Sequence, residues 1–276
     1  MIDHPSAMLS HHSQCANCAA VGALVNRHWR VSSEPGAFGA AWTLANWQAA
    51  LSSGVSRAFH WGFEDSTLGV DLLESSAWAM AMAEGAVADA ASAPAFVLSP
   101  ALRDSSQPLP PNTTVTAFAV RGAGPEEELY VFVASLNAAK AAVPTLALQL
   151  DIDRSLLPAT LPGLRIEEYR MNSSVSPFDV ALAELTRQNA TSSVPLLQWN
   201  DGEVYGMGQM ATAAGVAALA PNRTAFEALQ VKSLLPQPFD GTTAAMPSNG
   251  GVRLSFTMVT PCALVLQLGR KVPTSF

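Results

Sequence analysis

Charge is the scarcest commodity in this chain. Of its 276 residues only 13% are charged while 49% are hydrophobic, so most of the chain has to be buried or paired, and extended disorder is excluded. Lys and Arg are scattered singly, and the formal net charge is -7. That combination offers no footprint for a polyanion, and nucleic acid is excluded as a partner class. No run of about 18 apolar residues occurs, which argues against a membrane span. The first residues, MIDHPSAMLSHHSQC, lack a basic segment followed by an apolar one, so they do not read as a signal peptide. With three cysteines, Cys15, Cys18 and Cys262, there is no disulfide framework. The CANC spacing, with His11 and His12 upstream, suggests a metal or redox pair, but the second half of a zinc site is missing. The other reading makes Cys15 and Cys18 small apolar residues on one helix face. No metal or cofactor is expected. A Gly-x-Ser-x-Gly elbow is also missing, which argues against a serine hydrolase.

One feature is enriched instead. Four of the ten asparagines, Asn112, Asn172, Asn189 and Asn222, stand in Asn-x-Ser/Thr sequons, more than chance supplies when Ser and Thr make up roughly one residue in six. They are candidate N-glycan acceptors and tilt towards a secretory history. A secreted or lysosomal-type compartment is the expectation for a full-length protein of which this chain would lack the natural N-terminal part.

Two compositional regimes divide the chain. Residues 1–90 alternate short strand-like runs with Ala-rich helical ones, the pattern of βα units. AMLSHH (7–12), HWRVSS (28–33) and VSRAFHW (55–61) read as strands. Cys15 to Trp29, Phe38 to Ser53 and Leu72 to Glu84 read as helices, with Gly54 as a terminator. Trp42 and Trp47 read as packing residues of the second helix. From Phe96 the pattern changes to Val, Leu and Phe runs separated by Pro, Gly and Asn. TVTAFAV, ELYVFVASL, TLALQLDI, LRIEEYRM, VRLSFTMV and CALVLQL are six expected strands of a β-sandwich with one wet face on each sheet. SPFDVALAELTRQ and TAFEALQVKSL read as short helices between them, and Glu126 to Glu128 as a solvated hairpin end. The expected division is 1–90 and 91–276, without an internal repeat.

Three βα units alone leave open sheet edges, and the closing three units of a TIM (β/α)8 barrel give this order. Barrel chemistry sits at the carboxyl ends of the strands, where His11 and His12, Glu34, and His60, Trp61, Glu64 and Asp65 fall. Glu34, inside RVSSEPGAFGAAW, also reads as an ordinary helix-start acid, since an acid followed by Pro suits a first helical turn.

LSHHS followed by a helix, a strand ending in SE, and then AAWTLANWQAALSSGVSRAFHWGFED resemble the last part of clan A glycoside hydrolases, above all family 39, the β-xylosidases and α-L-iduronidases. LRIEEYRMNSSVSPFDVALAEL, AFEALQVKSLLP and VRLSFTMVTPCALVLQL are similar to that family's later strand, turn, helices and paired final strands. The resemblance implies a retaining glycosidase acting on a carbohydrate substrate. Glu34 matches the nucleophile, His12 a histidine that contacts sugar or nucleophile, Trp61 an aromatic floor for a sugar ring, and Glu64 a binder of hydroxyls. A retaining mechanism needs a second carboxyl group about 5 Å away to protonate the leaving oxygen. The family keeps it in an Asn-Glu motif, and no Asn-Glu pair occurs in this sequence. The turn after Glu34 is also shorter than the family's. The chain is therefore expected to be inactive unless completed by the other barrel strands; the alternative is a non-catalytic carbohydrate-associated or structural module.

Overall fold

A computed structural model of the chain describes residues 36–53, 64–65, 72–73, 75–89, 96–98, 108–121, 128–137, 145–157, 163–200, 208–246 and 250–270. The three expected barrel strands and the first expected helix lie outside these residues. Two long helices open the described part, α1 (Ala37–Ser52) and α2 (Ser75–Asp89), separated by a two-residue hairpin of β1 (Glu64–Asp65) and β2 (Leu72–Leu73). The second of these helices starts three residues later than the sequence pattern suggests, because Leu72 and Leu73 are taken by the hairpin with Glu64 and Asp65. It continues past Glu84 through GAVAD, which holds no proline and in which Gly85 is tolerated inside the helix.

All six expected strands of the second regime form. They are β4 (Thr113–Arg121), β5 (Leu129–Asn137), β6 (Thr145–Ile152), β7 (Leu164–Asn172), β12 (Val252–Val259) and β13 (Cys262–Arg270). The short strands β3 (Phe96–Leu98), β8 (Leu197–Asn200), β9 (Gly208–Ala211), β10 (Gln237–Pro238) and β11 (Gly241–Ala245) complete the described set. Every ladder among the described residues is antiparallel. The larger sheet has the order β10-β7-β13-β5-β4-β3 and a second β11-β12-β6, while β8 and β9 pair as a separate hairpin. Between β7 and β8 runs α3 (Pro177–Asn189), and α4 (Ala213–Leu219) and α5 (Arg223–Ser233) follow β9.

The two sheets bury a common core. Val131 and Val133 of β5 and Leu264, Leu266 and Leu268 of β13 face Leu254, Phe256 and Met258 of β12. Strand β12 alternates as half-buried sandwich strands do, with Val252, Leu254, Phe256 and Met258 inside and Arg253, Thr257 and Val259 outside. On the wet face Arg253 stands directly opposite Asp151 and grips it at 2.6 and 2.7 Å.

The six-stranded sheet departs from the expectation of one wet face per sheet. All nine residues of β5 are buried, because α1 and α2 cover the sheet's other face. Phe118, Tyr130, Phe132, Ala134, Met171 and Val265 pack there against Ala40, Ala41 and Leu44 of α1 and Trp78, Ala79 and Ala83 of α2. Phe118 and Phe132 are register partners and stack with ring centroids 4.6 Å apart. The molecule is thus helix pair, sheet and sheet, and the helices of the first regime share a core with the strands of the second. No residue from Gly36 to Ala50 is exposed, which is the environment a helix apolar on all sides requires. Trp42 and Trp47 pack on this core as expected.

Candidate functional site

The starts of α1, α2 and α3 meet at one place, directly after the segment that carries Glu34. The local cause is the sequence Ser176-Pro177-Phe178-Asp179. Ser176 caps α3 by accepting a hydrogen bond from the Asp179 amide at 3.2 Å, and Pro177 supplies a first helical residue that needs no donor. In an ordinary capping box the acid at this third position reaches back to the cap's own N–H. Here the Ser176 amide already donates to the Asn172 carbonyl at 2.8 Å, so the Asp179 carboxylate is free to turn outward. It accepts a hydrogen bond from the Ala37 amide at 2.7 Å, satisfying a donor that the first turn of α1 leaves without an intrahelical partner.

Gly36 is what lets the carboxylate in. A Cβ on Gly36 would lie 2.4 Å from Asp179 Oδ1, well inside contact distance. Burial pushes the Asp179 carboxyl above the usual range, opposed by its hydrogen bonds with Ala37 and Ser176. Beside it the Ser75 hydroxyl, at the start of α2, bonds the Ser176 hydroxyl at 3.2 Å, with both serines buried. A third tie lies one turn further along α2, where the buried Trp78 indole N–H donates to the Ser233 carbonyl at 2.8 Å. That carbonyl belongs to the last turn of α5 and has no intrahelical donor available. The short helices between strands are therefore a clasp on the helix pair.

Two other polar clusters are closed. Glu168 and Arg170, two residues apart on one face of β7, form a forked pair at 2.9 and 3.1 Å. Glu168 also accepts from the Asp240 amide at 3.1 Å, and Arg170 donates to the Thr257 carbonyl across the sandwich at 2.9 Å. Burial pushes the nearby Cys262 thiol up to about 12, so it is no nucleophile. Glu128 is half-buried and accepts bonds from the Tyr130 hydroxyl at 2.9 Å and from the Gln267 amide, which corrects the reading of it as a solvated hairpin end. Glu126 and Glu127 lie outside the described residues.

Of the residues picked from the sequence, His12, Glu34 and Trp61 lie outside the described residues, as do Cys15 and Cys18. Glu64 is placed only by its backbone, which pairs with Leu73 two residues ahead of α2. Among the described residues no cluster of His, Cys, Asp and Glu could hold a metal, and no helix is long and apolar enough to cross a membrane. Sequence reasoning missed Asp179, Gly36 and Ser75. The Ser-x-x-Asp spacing signals a helix start, but nothing in it names the partner 142 residues away. Comparison with protein-family models gives no match, and comparison with curated proteins gives none either.

Proposed function

We propose that this chain carries the closing βα units of a retaining glycosidase barrel, docked on a β-sandwich, with Glu34 as the nucleophile. The observation that supports this reading is the direction of α1 and α2. Their first residues both touch the first turn of α3, Ala37 at Asp179 and Ser75 at Ser176, and the helices pack on each other, so they run the same way. Two parallel neighbours need a connection that travels back the full length of a helix. The 16 residues of α1 span about 24 Å at 1.5 Å each. The expected strand VSRAFHW (55–61), at about 3.3 Å per residue, spans about 23 Å. A strand of that length over 55–61 would make the connection part of a βα repeat. In a barrel the helix starts follow the carboxyl ends of the strands, where the chemistry lies. Glu34, three residues before Ala37, and Glu64, in the connection to α2, then fall at the same end.

In a retaining mechanism Glu34 would attack the anomeric carbon while a carboxyl group on a strand absent from this sequence protonates the leaving oxygen. Aryl 2-deoxy-2-fluoroglycosides with a dinitrophenolate leaving group need no protonation and trap the glycosyl-enzyme. Incubating them with a form extended to supply the other barrel strands should add one fluoroglycosyl mass to the peptide holding Glu34. Glu34→Gln should take up none. Retained activity in the extended Glu34→Gln variant would end the assignment, and the absence of labelling across a panel of sugars would favour a non-catalytic carbohydrate-associated module.

A further inference from the structure

The four sequons are alike in sequence and unlike in the fold. Asn172 uses its carboxamide oxygen to accept from the Ser174 amide at 3.0 Å and from the Ser174 hydroxyl at 2.7 Å, so the serine of its own sequon is tied to it. Asn189 accepts from the Leu196 and Leu197 amides at 2.7 and 3.4 Å, fastening the loop after α3. Asn222 sits in the single 3₁₀ turn between α4 and α5. All three are half-buried, whereas Asn112 is exposed.

Asn112 occupies the tip of a tight turn. The Thr113 amide donates to the Pro110 carbonyl at 3.1 Å, Pro111 is the second turn residue, and Asn112 has φ 61°. That is the signature of a type II turn, whose third position demands positive φ and takes Asn after Gly. The turn's rigidity comes from consecutive prolines, and the large apolar Leu109 next to it is 44% exposed.

From these facts we infer that Asn112 is an N-glycan attachment site, and the one of the four that the folded chain presents. In the transfer, Asn112 Nδ2 forms a bond to the anomeric carbon of an oligosaccharide carried on a polyprenyl diphosphate. The bond from that carbon to the diphosphate oxygen breaks, the diphosphate leaves with the electron pair, and the Nδ2 proton passes to the transferase base. The attached sugar would stand over the Pro-rich turn and cover Leu109.

The test is expression of the full chain behind a cleavable secretory leader in a eukaryotic host, with peptide mapping after enzymatic deglycosylation in heavy-oxygen water. Asn112 should be recovered as labelled aspartate in most molecules. Two variants separate loss of the acceptor from loss of folding. Asn112→Asp keeps a residue that tolerates positive φ, and Thr114→Ala removes the sequon hydroxyl while leaving Asn112 in place. Both should lose one glycan's mass on a gel. Unmodified Asn112 in chains that have entered the secretory pathway would overturn the inference, as would glycans confined to Asn172, Asn189 or Asn222.

Discussion

Replacing Asp179 separates two roles of one carboxylate, the acceptor and the charge. In Asp179→Ala the Ala37 amide stays buried and loses its acceptor, a defect of about 1 to 3 kcal/mol. Helix α3 keeps its own cap, because Ser176 receives the amide of residue 179 whatever its side chain. Against the loss stands relief from burying a charge, since burial raises the Asp179 carboxyl despite its two hydrogen bonds. The net expectation for Asp179→Ala near neutral pH is a loss of about 2 kcal/mol. Asp179→Asn retains an acceptor oxygen and sheds the charge, so it should cost under about 1 kcal/mol. The pH dependence follows from the same balance. A carboxyl whose folded value is raised binds its proton more tightly folded than unfolded, so its contribution is fully present below the ordinary aspartate range. It is lost as pH rises through the raised value, and in Asp179→Asn that fall should vanish. Urea denaturation at several pH values gives the energies, and hydrogen exchange at Ala37 reports the bond directly. If Asp179→Asn were as damaging as Asp179→Ala, charge and not the acceptor would hold the helix start. If exchange at Ala37 were unchanged in both, the clasp would be wrong.

Three further outcomes are expected. Gly36→Ala should cost about 1 to 3 kcal/mol by driving a methyl group into the Asp179 carboxylate, and much less in an Asp179→Ala background; additive losses in a double-mutant cycle would contradict the contact. Arg170→Met should cost about 3 to 5 kcal/mol by stranding Glu168 in the sandwich, with part recovered in Arg170→Met/Glu168→Leu; equilibrium denaturation that finds the double variant worse than the single would refute this. Phe132→Ala, at a site with 0% exposure between the helix pair and Phe118, should cost about 3 to 5 kcal/mol, and a change below about 1 kcal/mol in the same assay would mean that the helices do not cover the sheet.

The strands of the second regime were legible because period-two alternation bounded by Pro, Gly and Asn is a local signal. Leu254, Phe256 and Met258 announce their face without reference to anything distant. Helix α1 was legible for a similar reason, its alanines and absence of proline. Two of the edge strands, β10 and β11, were not. Gly241–Ala245 is exposed throughout and Gln237–Pro238 has two residues, so neither offers a pattern, and each forms a strand only because a neighbour presents free backbone groups. The hairpin of β8 and β9 and the short α4 were missed for the same lack of length.

Of the expected site, the sequence marked the segment before Ala37 as the place for an acid, but the pairing that fixes the helix start was hidden. The use of Asp179 as an acceptor for another helix depends on Asn172 having satisfied the Ser176 amide and on Gly36 leaving room. Sequence by itself determined the six main strands and the two Ala-rich helices among the described residues, since these follow from the repeat of apolar residues along a few turns or pleats. Only the tertiary structure decided that the helix pair covers the six-stranded sheet, that α3 clasps it, and which asparagine stands free. The first two are contacts between separate segments, 142 residues apart for Ala37 and Asp179, and nothing in the local pattern of either segment encodes its partner.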